Sequence, residues 1–407
     1  MHSVLILTQY YPPETGAPQN RLSSLAKHLK TLGMEVAVLT AMPNYPAMQI
    51  RQGYEGKWYV KEETDRITIH RSWIFVRKTN SIVLRLLNYF SFVFSAMFVG
   101  LFRVKRYDVI ICESPPLFLG ITALTLKLFK RSVLVFNVSD LWPESAEKLG
   151  LVHNKLFLKA AYWLEAWIYK RAALVSGQTQ GIVQSINTRY PNVKTHWLPN
   201  GVDAEKLNAN SVTYDWRTAN GYDKADFIVL YAGILGHAQA LEVILKAATL
   251  LKDEHSLQFV LVGDGPQKEY LQQLKETIQL NNLIILPNQP QHEMPNIIHA
   301  VDAAIIPLKN IPLFKGAIPS KIFENLAFGK PILLGVDGEA KTLFVDEGKC
   351  GLFFTPENEH ELAAGIIKLK TDSTLYTELS SNGKKFVNMH FDRKKIASTF
   401  YQQLQQL

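Results

Sequence analysis

KGAIPSKIFENLAFGKPILLG, residues 315–335, is the stretch from which the rest of the chain is read. A loop holding Gly316 and Pro319 leads to Ser320, which can cap a helix running through Lys321, Glu324 and Phe328 to Gly329. The apolar run PILLG behind it predicts a strand. Lys321 and Glu324 are three apart, so a cation and a carboxylate share one face of the first turns, where unpaired backbone N–H groups and the positive end of the helix dipole also lie. A diphosphate can dock there, and a carboxylate at Glu324, which only accepts, suits the two hydroxyl protons of a ribose diol. The plain alternative is a salt-bridged pair on a helix surface, a pattern that any isolated KxxE satisfies.

Outward from this stretch, strands and helices alternate. In the first half, VLILT (4–8), a helix around 21–32, EVAVLT, DVIIC (108–112), VLVFNV (133–138) and ALVSG follow the βαβ pattern of a parallel sheet. The rhythm restarts after Asp203 with FIVLYAG, a helix near 241–251, LQFVLVGDG, a helix to Leu280, LIIL, AAIIPL, PILLG and GLFF. The expected fold class is therefore α/β, with two Rossmann-like domains over 1–200 and 201–390 and a polar, strand-poor linker at 204–226. Helical patterns at 359–370, 375–389 and 393–407 end the chain.

The 407 residues carry a formal net charge of +8, and its distribution is uneven. Residues 1–200 hold 24 Lys+Arg against 12 Asp+Glu, while residues 201–407 hold 20 against 24. Such a bias suggests an anionic partner for the first half, either nucleic acid or a membrane surface. Zinc-finger spacing, an RNP-like strand and a long Arg-rich arm are all missing from the sequence, which leaves an anionic membrane surface and no nucleic acid. Residues 86–102, LLNYFSFVFSAMFVGLF, run 17 residues without a charge between Arg85 and the group Arg103, Lys105 and Arg106. The run is short for a spanning helix and is interrupted by Asn88, Ser91 and Ser95. It reads either as a helix lying in the headgroup layer or as a buried packing helix. Lys127, Lys130, Arg131 and KLFLKAAYWLEAWIYKR, with Trp163 and Trp167, add to the first reading. Cys112 and Cys350 lie in different halves, which argues against a disulfide framework and fits a reduced cytoplasmic setting. The apolar run at 4–7 is too short for a signal peptide and reads as a first strand.

Several loops carry chemistry. TQYYPPETGAPQNR (8–21) has the strand, Pro/Gly loop and helix order that brings backbone N–H groups to an anion at Gly16 and Ala17, although a plain βα turn has the same order. Arg21 either reaches a phosphate or is a surface residue. PNYP (43–46), with Asn44 and Tyr45, is either part of a binding site or a hydrophobic loop packed on its domain. NVSDLWPESAEKLG (137–150) follows a strand, so Asp140 stands at a carboxyl sheet edge, where open α/β folds bind ligands; it either handles a proton there or caps the next turn, with Glu144 a second carboxylate. YAGILGHAQALE (231–242) contributes Gly233 and His237, and VGDGP (262–266) places Gly263 and Gly265 at a strand-to-helix turn, a weak signal for nucleotide by itself.

The segment PSKIFENLAFGKPIL resembles the C-terminal signature of the retaining family-four glycosyltransferases, in which a glutamate, seven residues and a second glutamate precede a small-residue turn and a strand. Glu324 matches the second glutamate; the first falls on Gly316, so a carboxylate contact to the donor hexose is missing. PSK before the glutamate, the DLWP motif and the aromatic loop at 43–58 are similar to a bacterial subgroup of L-fucosamine transferase-like enzymes of surface-polysaccharide assembly. The loop at 8–21 resembles the family's FPPE-x-GG motif with Ala17 for the second glycine, and PNGVD (199–203) resembles its interdomain junction.

The resemblance implies a GT-B fold, with two Rossmann-like domains, a cleft between them and a C-terminal helix, 391–407, crossing back to the first. It implies transfer of a sugar, an N-acetylated amino sugar by the subgroup, from a UDP-sugar to a lipid-linked saccharide acceptor on undecaprenyl diphosphate, in O-antigen, capsule or exopolysaccharide assembly. The setting it implies is the inner face of the bacterial cytoplasmic membrane. Asp140, Lys321 and Glu324 are the implied catalytic residues. Donor contacts are expected from Gly16, Ala17, Gly233, His237, Gly263, Gly265, Pro287, Gly316, Ser320, Lys321 and Glu324, and acceptor contacts from Asn44, Tyr45, Asp140 and Glu144. DGE (337–339) looks like a metal-binding DxD, but tandem Rossmann-like domains match the metal-independent architecture, so neither metal nor cofactor is expected. Two other classes stay open: an acceptor-free UDP-sugar epimerase of the same fold, and a catalytically silent membrane-bound partner subunit.

Overall fold

The computed structural model describes residues 1–407 except 15, 46, 79–81, 149, 151 and 204–211. Among the described residues the chain divides into two compact units, Met1–Asn200 with Arg393–Leu407, and Gly201–Asp392.

The first unit is built on an eight-stranded sheet: β1 (Ser3–Leu7), β2 (Glu35–Ala41), β3 (Tyr59–Thr64), β4 (Ile67–Ser72), β5 (Val109–Ser114), β6 (Val133–Val138), β7 (Leu174–Gly177) and β8 (Thr195–Trp197). Their spatial order is β3-β4-β2-β1-β5-β6-β7-β8, parallel throughout except for β3, which pairs antiparallel with β4. Its helices are α1 (Ala17–Thr31), α2 (Ile82–Phe102), α3 (Leu119–Lys130), α4 (Glu144–Lys148), α5 (Lys155–Tyr169) and α6 (Gln180–Arg189). The near-continuous apolar runs of β1, β5 and β6 are those of strands covered on both faces. Leu5, Leu7, Ile110, Cys112, Leu134 and Phe136 face α2, α3 and α5. The alternate residues Val4, Ile6, Val109, Ile111 and Val135 face α1, and with them pack Ala397, Phe400 and Leu404 of the last helix of the chain.

The second unit opens with α7 (Trp216–Ala219), whose Trp216 is buried against Ile228, Leu230 and Val260. The strand-poor stretch read as a linker thus turns into core at Trp216; its residues 204–211 lie outside the described residues. Then come β9 (Phe227–Ala232), α8 (Glu242–Leu250), β10 (Leu257–Val262), α9 (Lys268–Thr277), β11 (Leu283–Leu286), α10 (Met294–Ala300), β12 (Ala303–Pro307), α11 (Lys321–Ala327), β13 (Ile332–Gly335), α12 (Glu339–Lys341), β14 (Gly351–Phe353), α13 (Glu359–Thr371) and α14 (Ser373–His390). The six strands are all parallel, in the order β11-β10-β9-β12-β13-β14. The last helix, α15 (Arg393–Gln405), belongs to the first unit.

Both sheets are doubly wound. The chain leaves β1 toward β2 and β4 on one side and resumes at β5 on the other, and it leaves β9 toward β10 and β11 before resuming at β12. At such a reversal the loops on the two sides diverge and leave a crevice beyond the carboxyl ends of the strands, where open α/β sheets bind ligands. Each unit therefore has one such place, after β1 and β5 in the first and after β9 and β12 in the second.

Candidate functional site

In the second unit, the loops after β9 and β10 are held together by main-chain hydrogen bonds: Gly233 N donates to Val262 O at 2.9 Å, Leu235 N to Asp264 O at 2.9 Å and Gln267 N to Leu235 O at 2.9 Å. Gly263 N donates to Leu286 O at 3.1 Å and ties in the strand before Pro287, which is exposed. The approach is so close that a Cβ on Gly263 would sit 1.8 Å from Gly233 O, so only glycine fits there. Lys321, the first residue of α11, lays its ammonium over the Tyr231 ring, with Nζ 3.6 Å from the ring centroid. A Cβ on Gly233 would come within 2.9 Å of that same Nζ. Tyr231 is held in turn by its hydroxyl, which donates to Ile234 O at 2.6 Å. No carboxylate pairs with Lys321 among the described residues, and burial alone lowers its ammonium from the ordinary 10.5 to about 7.

A half-buried cation at a switch point, steadied by an aromatic face instead of an acid, has the chemistry to receive an anion. Glu324, one turn along α11, is half-buried and is engaged by other groups of the chain. Ser320 is the residue before α11, but it has helical dihedrals and its side chain makes no capping bond, so the expected cap does not form. Gly316 closes a short 3-10 turn, Pro312–Gly316, and a Cβ there would meet nothing within 4 Å. Beside it, Lys315 pairs with Asp337 of the DGE segment at 3.4 Å. His237 is exposed at the start of another 3-10 turn, where its Nδ1 meets Gln267 Nε2. The Gly265 N–H is taken by Asp264 Oδ1 at 2.8 Å.

In the first unit, Glu14 of the loop after β1 is buried and accepts three backbone N–H bonds: from Asn44 at 2.7 Å, Tyr45 at 2.8 Å and Tyr11 at 3.1 Å. One carboxylate thus binds the loops after β1 and β2 to each other, and the Tyr10 and Tyr45 rings of the same two loops meet with centroids 5.5 Å apart. Burial raises the Glu14 carboxyl, against the pull of those three bonds. Asn44 is buried, and its Nδ2 donates to Met42 O at 2.9 Å, which anchors the loop. Gly16 precedes α1 with an ordinary extended backbone, and Ala17 begins that helix.

Arg21 is neither on the surface nor turned outward. Its Nη2 pairs with Glu113 Oε1 at 2.5 Å, with both side chains about 5% exposed, and also donates to Ser139 Oγ at 2.8 Å. Glu113 accepts further bonds from Ser139 and from Asn137 Nδ2, the latter at 2.6 Å. This network crosses the carboxyl ends of β5 and β6 and places Ser139, hence Asp140, in space. Asp140 stays open to solvent, yet the surrounding protein raises its carboxyl, partly offset by the Ser145 hydroxyl at 2.9 Å. Glu144 begins α4 and is paired with Lys148 at 2.5 Å.

Sequence reasoning passed over Tyr231, Glu14 and Glu113. Glu113 had a visible signal, a carboxylate ending the otherwise apolar strand VIICES; Tyr231 looks like any inward residue of β9.

Two family models match the chain: "Glycosyl transferase 4-like domain" over residues 16–201 and "Glycosyl transferases group 1" over residues 213–386. A protein named as the colanic acid biosynthesis glycosyl transferase WcaI, of Escherichia coli strain K12, is 25% identical over 415 residues, covering 98% of each chain. Among solved structures, sucrose-phosphate synthase from Thermosynechococcus elongatus superposes with a TM-score of 0.77 at 16% identity, over 100% of this chain and 99% of that one. Anabaena HepE in complex with UDP-glucose superposes with a TM-score of 0.74 at 19% identity, over the whole of both chains. The two Rossmann-like domains have the GT-B fold, and with both family models matched in succession the chain belongs to the group 1 glycosyltransferases.

Proposed function

We propose that this protein is a retaining glycosyltransferase that moves an N-acetylated amino sugar from UDP to an undecaprenyl-diphosphate-linked glycan during assembly of a surface polysaccharide, as in the L-fucosamine transferase-like subgroup. The observation that carries the reading is Lys321: a desolvated ammonium without an acid partner among the described residues, set over Tyr231 and Gly233 at the switch point of the second sheet. The similarity to WcaI along the full chain supports the polysaccharide setting, and the UDP-glucose complex of HepE supports the donor class.

In this reading Lys321 neutralises the departing diphosphate as the bond from the sugar C1 to the phosphate oxygen breaks, where charge grows most in the transition state. Glu324 holds the ribose hydroxyls. The zipped loops at Gly233 and Gly263 lie against the diphosphate, and the segment at Pro287 flanks the base. Asp140 orients the acceptor hydroxyl, whose oxygen forms the new bond to C1 while its proton passes to the leaving phosphate oxygen; front-face attack then retains the configuration. Gly316 leaves the donor hexose without the family's first carboxylate. No metal takes part.

The test is transfer from a panel of UDP-N-acetyl amino sugars to a lipid-diphosphate monosaccharide in EDTA, with wild type and Glu324→Ala. The expected result is a lipid-linked disaccharide that forms in EDTA and collapses in the variant. Acceptor-free isomerisation, or UDP-sugar binding without transfer, would overturn the reading.

A further inference from the structure

The apolar helix α2 has a buried face and an exposed one. Toward the protein, α2 sends Phe92, Val93, Ala96 and Val99 into the core. The polar residues that interrupt its sequence lie on the same side: Asn88 Nδ2 donates to Phe75 O at 2.6 Å, Ser91 Oγ accepts from Phe75 N at 2.8 Å, and Ser95 Oγ donates to Ser72 Oγ at 3.1 Å. A helix anchored in this way is part of the folded unit, and it cannot cross a bilayer without leaving that core behind, although Val83–Phe102 is long and apolar enough to do so. Away from the protein, Phe98 and Phe102 are 52% and 76% exposed.

Two neighbouring helices extend that outer face. α2, α3 and α5 share one side of the sheet, packing on the same set of alternate strand residues. On α3 the outward residues Leu128 and Phe129 are 73% and 69% exposed, and on α5 Leu156 and Trp163 are 80% and 64% exposed. Apolar exposure on this scale within one layer needs a partner. The charge around it says which kind. Helices α2 and α3 contain no Asp or Glu, the one acid of α5, Glu165, is turned inward and paired with Arg189 at 2.6 Å, and Glu147 of α4 meets α5 from outside, accepting from the Tyr162 hydroxyl at 2.6 Å. Arg85, Arg106, Arg131, Lys155 and Lys159 are exposed along or at the ends of the same helices. A protein partner of ordinary composition does not call for a face with aromatic residues and cations in clear excess over anions, whereas a lipid layer with negative headgroups does.

We propose that the outer surface of α2, α3 and α5 docks this protein on an anionic lipid bilayer, its aromatic residues in the headgroup layer and its cations against the negative headgroups. The helix lies in the plane of the membrane with its inner face still in the protein. Through Asn88, whose Oδ1 accepts from Gln9 Nε2 at 3.0 Å, the docked helix is joined to the start of the loop that carries Glu14 and Gly16. The proposal does not rest on the transferase reading, because docking is read without any sugar substrate.

The experiment is co-sedimentation of the full chain with vesicles of phosphatidylcholine, with and without phosphatidylglycerol, at low and high salt. Wild type is expected to pellet with the phosphatidylglycerol vesicles only, and less so in high salt. Neutralising an exposed cation, Lys155→Gln or Lys159→Gln, should lower the partition coefficient about fivefold each. Phe98→Ser or Trp163→Ser should lower it by about tenfold. All four side chains face outward, so the thermal melts should match wild type, and Lys275→Gln on the second unit should change nothing. Equal pelleting with both vesicles, pelleting with neither, or face variants that fold normally and pellet like wild type would each overturn the proposal. So would a concentration-dependent dimer broken by Phe98→Ser without vesicle binding, which would assign the face to a second copy of the chain.

Discussion

The two switch points hold one conspicuous cation each, and the chain treats them in opposite ways. Arg21 in the first unit is locked to Glu113, with Ser139 and Asn137 completing the network, so its charge is balanced inside the fold. Lys321 in the second unit is desolvated over an aromatic ring, with no carboxylate paired to it among the described residues. Burial costs both ions hydration, but only the arginine recovers it within the protein. The first cation therefore positions loops, and the second, in the function proposed above, waits for charge to be supplied. A buried guanidinium is always protonated and suits a permanent strut, whereas an ammonium can give up its proton until a ligand arrives.

The contrast breaks most visibly if one partner of the strut is removed. Arg21→Met or Glu113→Gln leaves the other charge or its polar partners stranded, and we expect a loss of about 3–5 kcal/mol in urea unfolding of the variants. Lys321→Met should do the reverse: stability equal to or above wild type in the same melts, with kcat for transfer down roughly 10²–10³-fold in the assay described above. If Lys321→Met unfolds the protein, or Arg21→Met leaves it intact, the distinction between strut and waiting charge is wrong.

Acidity sharpens the same comparison. The folded protein holds Lys321 near 7, below the ordinary 10.5, so its neutral form is favoured on folding. The sign follows from that: between about 10.5 and 7, falling pH protonates the unfolded chain first, and wild type loses stability relative to Lys321→Met; below about 7 both states are protonated and the gap stays constant. In the proposed function UDP binding should run the other way, because the diphosphate would be met by the ammonium. Above about 7, affinity should fall by up to about tenfold per pH unit, with proton uptake measurable by titration calorimetry in buffers of different ionisation enthalpy. Lys321→Met should abolish both the slope and the uptake, and a pH-independent wild type would refute the assignment. The smallest effect is expected at Gly316→Glu. Its Cβ has open space around it, so the melt should shift by less than about 0.5 kcal/mol, and any change should be confined to the KM for the donor.

The α/β class and the order of elements were legible because they rest on local period: the apolar strands β1, β5, β6, β9 and β10 announce themselves. The hairpin of β3 and β4 did not, since YVKEET alternates polar residues on an edge strand and reads as loop. Lys321 and Glu324 were legible as a pair at helical spacing, but Tyr231 was not, because its ring meets the ammonium across a long stretch of chain. Arg21 stayed ambiguous for the same reason, its partner Glu113 being 92 residues away. The two readings of α2 were both left standing by sequence because the helix has a buried face and an exposed apolar one, and which residues face inward is decided by Asn88, Ser91 and Ser95.

The carboxylate of Glu14 sits in one of the two loops it fastens and is held by donors from both. Because Asn44 and Tyr45 on one side and Tyr11 on the other all donate to it, the two loops form a single inheritable part. A chimera that borrows the loop after β1 from a relative while keeping its own loop after β2 would pair a clasp with the wrong eyelet; recombination between such proteins should move the two segments together or not at all.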